Sequence, residues 1–236
     1  MLLQGLRKPS MLRARCGALT VRPEAGKPLA AVSGCATIGR VWIPSPGACQ
    51  MSALDPAALP VPEDDGAADH LPGLELPIIR LMGTHGHPVD LSDLSGRAVV
   101  YVYPRTARPG EPPLEGWDEI PGARGCTVQS CAFRDHLEDL RAVGIEHVFG
   151  LSAQDTEHQK EVATRLNLPF PLLSDHGLQL ARAIRLPTFE VGGLKLLKRL
   201  TLVVEDGAIA HTFYPVFPPE ESARQVVEFF RTYDRG

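Results

Sequence analysis

Six apolar residues in succession, Ala98-Val-Val-Tyr-Val-Tyr103, closed by Pro104, constrain this fold more than any other feature. A strand with one face in water alternates apolar and polar side chains. An unbroken apolar run of this length indicates a strand covered on both faces. Proline has no N–H for the ladder, so the strand ends at residue 103. The chain must then supply layers for both sides of a sheet.

The downstream sequence supplies them. Residues 105–125 are rich in Gly and Pro and exclude a helix. Phe133, Leu137 and Leu140 then fall at i, i+4 and i+7, which predicts an amphipathic helix over 127–143, ended by Gly144. His147-Val-Phe-Gly-Leu-Ser152 is the next strand, and Ser152-Ala-Gln-Asp155 resembles a capping-box start for a helix to about residue 166. A short extended piece at 172–175 and a brief helix near 177–184 follow. Strands at 199–204 and 208–213 are joined around Asp206-Gly207, a strong hairpin signal. Pro218 and Pro219 open a last helix, on which Ala223, Val226 and Phe230 share a face. Upstream, 76–81 and 87–91 read as two short strands around a Gly-His-Gly turn.

From residue 98 the order is β-α-β-α-β-β-α. The first crossovers are long enough for parallel pairs, and the last pair is antiparallel. The expected fold is α/β, a central mixed β-sheet with helices on both faces, in the order of the thioredoxin fold.

Residues 1–73 read differently. Prolines recur through them and no helical or strand period survives between. Of 24 Lys/Arg and 28 Asp/Glu in the chain, residues 1–50 hold seven and one, so the remainder is distinctly acidic. The Arg-containing, acid-poor start has the composition of an organelle transit peptide, and its charges exclude a secretory signal. The preferred reading places the true start at Met51, which opens an ordinary acidic tail. Residues 1–73 are expected as a disordered extension and 74–236 as the folded domain. No window approaches 18 uninterrupted apolar residues, so no membrane-spanning helix is expected. The net charge of −4 gives no footing for nucleic acid.

Cys16, Cys35 and Cys49 lie in the extension and read as incidental thiols. Cys126 and Cys131 form a C-x4-C pair, which lacks the C-x-x-C spacing of a zinc ribbon or a disulfide reductase, and no second pair completes a metal site. Cys126 stands where a Gly/Pro loop meets a helix. Free N–H groups and the positive end of the helix favour a thiolate there. A thiolate attacks peroxide oxygen, and the sulfenic acid formed condenses with a second thiol. Five helical residues separate Cys131 from it by about 7.5 Å of rise and about 140°. Disulfide Cα atoms lie within roughly 7 Å, so the first turns must unwind before the two sulfurs bond. The plainer reading makes Cys131 a small buried apolar residue.

At these residues the chain resembles a known family. Tyr103-Pro104, followed by Gly-Cys-Thr-Val-Gln-Ser-Cys-Ala-Phe-Arg-Asp135, is similar to the active-site segment of peroxiredoxins, closest to the subgroup of bacterioferritin comigratory protein, or PrxQ. Val89-Asp-Leu-Ser-Asp-Leu-Ser-Gly96, Leu168-Pro-Phe-Pro-Leu-Leu-Ser-Asp175 and Arg199-Leu-Thr-Leu-Val-Val204 match in the family's order, over about 74–232. The resemblance implies a thiol-dependent peroxidase for hydrogen peroxide or alkyl hydroperoxides, with Cys126 peroxidatic, Cys131 resolving through a Cys126–Cys131 disulfide, and Arg199 stabilising thiolate and peroxide. It implies no metal or other cofactor, and a thioredoxin-type dithiol as reductant. An intramolecular resolving thiol needs no dimer, so a monomer or weak dimer is expected. The compartment is read as the cytoplasm, where thiols are re-reduced, with an organelle the alternative if residues 1–50 are genuine.

Two departures bear on the site. The position three before Cys126, a Thr or Ser in the family, is Ala123, and Arg105–Arg124 form an insertion carrying four prolines and Trp117. Thr106 and Thr127 are candidate replacements for the missing hydroxyl. The position three after Cys126 is Gln129, where many relatives have Glu. Charge alone would not select Arg199, because Lys195 and Lys198 flank it. His85 and His87 read as a polar turn, His136 as a boundary position, and Arg134-Asp135 as a surface ion pair or a link to Arg199. Trp117 reads as a cover over the site or a lid. The alternatives to a peroxidase are a redox-sensing regulatory or binding module using the same cysteine pair, and a structural protein with an unreactive Cys126.

Overall fold

The computed structural model describes residues 59–233. A hairpin of β1 (Arg80–Gly83) and β2 (Pro88–Asp90) leads to β3 (Arg97–Val102), the apolar run. After the Gly/Pro loop come α1 (Cys126–Asp135), α2 (Leu137–Ala142), β4 (His147–Ser152), α3 (Thr156–Arg165), β5 (Leu172–Ser174) and α4 (Gln179–Ala183). A second hairpin, β6 (Thr188–Val191) and β7 (Leu194–Leu197), precedes β8 (Leu200–Glu205), β9 (Ala208–Phe213) and α5 (Ser222–Tyr233). The seven-stranded sheet runs β2-β1-β5-β4-β3-β8-β9. Strands β3, β4 and β5 are parallel neighbours, and β8, β9, β1 and β2 extend the sheet antiparallel at its two sides. The expected mixed α/β sheet with helices on both faces is the observed one.

The central run explains the layers. Ala98, Val100 and Val102 face one core with Leu151, Leu173, Leu202, Leu180 of α4 and Ile184 just after it. Val99, Tyr101 and Tyr103 face the other with Phe133 of α1, Leu140 of α2, Val162 of α3, and Ala223, Val226 and Phe230 of α5. Tyr101 stacks on Phe133 with ring centroids 4.5 Å apart. Each such fully buried large side chain contributes about 1.5–3 kcal/mol.

Several local expectations are corrected. The single helix over 127–143 is two, kinked at His136 (φ −99°, ψ 14°). Main-chain bonds from His136 N to Ala132 O and from Leu140 N to His136 O span the kink, so the apolar period passes through it unbroken. Helix α3 is capped by Asp155, whose carboxylate accepts from His158 N at 2.8 Å, while Ser152 ends β4. The first hairpin lies further along than 76–81, because Gly83 N bonds His87 O. Leu76 N instead bonds Gly207 O at the far edge. The β6–β7 hairpin was not expected, although Gly192 and Gly193, both at positive φ, mark its turn.

The expected disordered extension lies for the most part outside the described residues. Within 59–73, Ala68 and Leu71 are buried in the core and His70 Nε2 lies 3.0 Å from Ile184 O. Among the described residues no helix is long and apolar enough to cross a membrane.

Candidate active site

Helix α1 begins at Cys126 and is capped by Gly125, whose φ of 96° lies in the left-handed region. A Cβ there would also stand 2.4 Å from Pro219 Cγ, so the junction needs glycine. The first intrahelical bond is from Gln129 N to Gly125 O, at 2.9 Å. The N–H groups of Cys126, Thr127 and Val128 precede it and form the electropositive end of the helix.

The Cys126 side chain is a free thiol in a residue only 4% exposed. Its Sγ receives a hydrogen bond from Arg199 Nη2 at 3.2 Å and lies 3.5 Å from the Ala123 carbonyl oxygen. Arg199 stands just before β8, 73 residues away in sequence, and is itself only 4% exposed. The remaining donors of the guanidinium are also used. Nη2 reaches Arg124 O at 2.8 Å and Ala123 O at 3.3 Å, Nε reaches Gly122 O at 3.3 Å, and Nη1 bonds Gln129 Oε1. A planar fork of five donors suits this task where an ammonium would not. The three carbonyls come from the end of the insertion, which wraps around the arginine.

Gln129 is fully buried, one turn along α1 from Cys126. Its Nε2 donates to Ser222 Oγ at 3.3 Å, which lies 3.0 Å from Thr201 Oγ1. A polar chain thus ties Thr201 of β8 and Ser222 of α5 to Gln129, Arg199 and the thiol. Ser222 was missed from the sequence, where it reads as an ordinary helix-start serine. Tyr101 and Tyr103 lie beneath, and burial pushes both phenols above their ordinary range, so neither adds negative charge.

The other candidates separate cleanly. Thr106 is buried but turned away: its Oγ1 donates to Gln154 Oε1 at 3.0 Å and its carbonyl lies 2.9 Å from His158 Nε2. Thr127 makes no hydrogen bond to Sγ either, and the Ala123 carbonyl near the sulfur can only accept, so no hydroxyl among the described residues replaces the one absent at Ala123. Lys195 is 3.7 Å from Glu190, and Lys198 pairs with Asp65. Arg134 pairs with Asp135 and donates to Leu166 O, a surface arrangement that does not reach Arg199. His136 pairs with Asp139 at 3.0 Å. Trp117 leans on Phe189, which pins the insertion to the β6–β7 hairpin. No metal-holding cluster occurs among the described residues, His85 and His87 included. Cys131 is buried on α1 and disulfide-bonded. Because Cys126 is free, the two are not joined to each other while α1 is wound.

A buried thiol at a helix start, held by a buried arginine just before β8 of a thioredoxin-like sheet, is a geometry suited to thiol-redox chemistry. The chain matches the redoxin family over residues 69–227. It is 33% identical over 162 residues to the chloroplastic peroxiredoxin Q of Oryza sativa subsp. japonica, covering 68% of this chain and 66% of that one. It is 33% identical over 158 residues to the chloroplastic peroxiredoxin Q of Sedum lineare, covering 66% of this chain and 75% of the relative. The chain therefore spans just under two thirds of the rice relative's length. Solved structures of similar fold include peroxidoxin BcpB of Mycobacterium tuberculosis (22% identity, TM-score 0.55, 69% of this chain and 97% of that one). Another is a peroxiredoxin Q mutant of Xylella fastidiosa (19% identity, TM-score 0.57, 70% and 98%). The chain belongs to the redoxin family, among its peroxiredoxin Q-like members.

Proposed function

We propose that this protein is a thiol-dependent peroxidase acting on hydrogen peroxide or alkyl hydroperoxides. The observation that carries the reading is the 3.2 Å contact from Arg199 Nη2 to Cys126 Sγ at the start of α1. Two independent sources of positive potential meet on one sulfur there.

In the proposed cycle the Cys126 thiolate attacks one peroxide oxygen and the O–O bond breaks. The departing oxygen takes a proton and leaves as water or an alcohol, and Cys126 becomes a sulfenic acid. Arg199 holds the sulfur and donates to the peroxide as negative charge moves onto the leaving oxygen. The start of α1 then unwinds, and Cys131, as a thiolate, attacks the Cys126 sulfur. The sulfenic hydroxyl leaves as water and a Cys126–Cys131 disulfide forms. This step requires Cys131 in its reduced form, so any disulfide to it is reduced first. A thioredoxin-type dithiol restores both thiols by exchange. Both cysteines lie on one helix, so a monomer or weak dimer suffices, and the cycle suits the reducing cytoplasm. The plant relatives carry chloroplast names, and an organelle with a dithiol reductant would serve the same chemistry.

The test is mass spectrometry of the fully reduced protein after one equivalent of hydrogen peroxide, with peptide mapping. Rapid loss of two hydrogens with a Cys126–Cys131 linkage is expected, and Cys126→Ser should abolish both linkage and turnover. A pair that oxidises but consumes no peroxide at steady state with a thioredoxin system would support the redox-sensing module. Oxidation that spares Cys126 would sink both readings.

A further inference from the structure

Against Arg199, on a wall that does not include Cys126, lies a chamber that the reaction chemistry does not use. Its volume is about 250 Å³, below the roughly 300–1,000 Å³ of pockets for drug-sized ligands, so it suits a small guest. Gly122 and the charged Glu63, Asp65, Lys198 and Arg199 form part of its wall, and the apolar part includes Pro62, Ile120, Pro121, Phe189 and Pro215. Arg199 therefore faces two ways: its Nη2 holds Cys126 Sγ, and its Nε holds the Gly122 carbonyl at the chamber wall.

Pro62 belongs to a stretch that precedes the part of the chain matching the redoxin family, which starts at residue 69. That stretch is clasped in place. Asp65 accepts from Lys198 Nζ at 2.5 Å and from the Tyr214 hydroxyl at 2.7 Å. The bond from Lys198 and then that from Tyr214 hold its carboxyl at about 2, below the ordinary 3.8, so the clasp is charged at neutral pH. Beyond the clasp, Ala68 and Leu71 anchor the chain in the core. Residues 62–65 thus precede the buried anchor and are tied down at Asp65, with Pro62 over Gly122, where an added Cβ would meet the proline ring at 3.7 Å. The facing wall, Ile120 and Pro121, comes from the insertion, and Phe189 comes from the hairpin that Trp117 leans on.

Resting on the peroxidase reading, we propose that residues 62–65 are a specificity element. Clasped by Asp65, they complete a chamber beside Arg199 that takes the compact apolar tail of an organic hydroperoxide. The peroxide group would then be delivered to the Arg199 guanidinium, whose Nη2 holds Cys126 Sγ. Hydrogen peroxide has no tail and makes no use of the chamber. An apolar contact of one or a few carbons separates substrates by about 10–200-fold. Opening the wall should cost the tailed substrate about tenfold and the tailless one nothing.

The experiment uses the full chain with Asp65→Ala, which frees the clasp, and Phe189→Ala, which empties the opposite wall. In a thioredoxin-coupled assay, kcat/KM for tert-butyl hydroperoxide should fall about tenfold in each variant, through KM. The value for hydrogen peroxide should stay within about twofold. Binding of tert-butanol to the reduced protein, followed by amide chemical shifts at Gly122, Phe189 and Lys198, gives a readout without turnover. Saturable shifts are expected in the parent and should be lost in both variants. If both hydroperoxides fall in parallel, or neither falls, and tert-butanol does not bind, the specificity element is refuted while the peroxidase stands. If tert-butanol binds and the variants release it but no peroxide is consumed, the chamber stands and the peroxidase reading fails.

Discussion

Replacing Arg199 with glutamine removes the one cation among the described residues that touches the Cys126 sulfur. At the observed 3.2 Å, opposite unit charges attract by about 5 kcal/mol with an effective dielectric near 20. That is a gross figure, since burying the guanidinium offsets part of it. A hydrogen bond to a charged group is worth about 1.5–3 kcal/mol net. At about 1.4 kcal/mol per factor of ten, oxidation of Cys126 by hydrogen peroxide should slow roughly 10–150-fold. The carbonyls of Gly122, Ala123 and Arg124 lose their donor as well, and Ala123 is fully buried. The variant should therefore also lose about 1–3 kcal/mol of stability. Arg199→Lys keeps the charge but cannot serve all five acceptors, so its oxidation rate should fall between the two. The assay is single-turnover oxidation of reduced protein, quenched by alkylation of the remaining thiol, beside a thermal melt of each variant. A folded Arg199→Gln protein oxidised within about threefold of the parent would refute the role assigned to the guanidinium.

Three further outcomes are expected. Cys131→Ser should undergo one oxidation and stop, leaving a Cys126 sulfenic acid that a dimedone-type probe captures; undiminished steady-state turnover would exclude Cys131 as the resolving thiol. Gly125→Ala places a side chain at φ 96° and against Pro219. The left-handed backbone alone costs about 1–2 kcal/mol, so the melting temperature should fall by at least roughly 2–8 °C. Burial among Phe213 and Phe229 holds His211 below its ordinary 6.5. The unfolded chain then takes up that proton first, so the histidine destabilises the fold as pH drops through 6.5 and contributes nothing well above it. Urea denaturation at pH 5 and pH 8 should show a smaller difference for His211→Gln than for the parent.

The elements that could be read from the sequence were those whose burial repeats locally. The unbroken apolar run of β3, the Asp206-Gly207 turn and the Ala223, Val226, Phe230 face of α5 each report their surroundings through spacing alone. The kink at His136 escaped because Phe133 and Leu140 are buried on both sides of it, so the helical period did not change. The start of α3 was misplaced because a cap depends on which side chain reaches a free N–H. Asp155 does so, whereas Ser152 Oγ accepts from Gln159 Nε2 at 3.0 Å. The Gly192-Gly193 hairpin carried a legible signal that was not used.

By itself the sequence determined a two-faced sheet and a cysteine at a loop–helix junction, because periodicity and turn chemistry are local properties of the chain. Resemblance then named Arg199, which charge could not distinguish from Lys195 and Lys198. Only the tertiary structure decided among those three cations: Lys195 is drawn to Glu190, Lys198 to Asp65, and Arg199 alone to the sulfur. It likewise decided that neither Thr106 nor Thr127 supplies the hydroxyl absent at Ala123, that Gln129 and Ser222 support the arginine, and that Asp65 closes a chamber from outside the family's span. The physical reason is common to all of them. Which polar groups meet in a buried site depends on pairing between segments some 70 or more residues apart, and no local pattern encodes that distance.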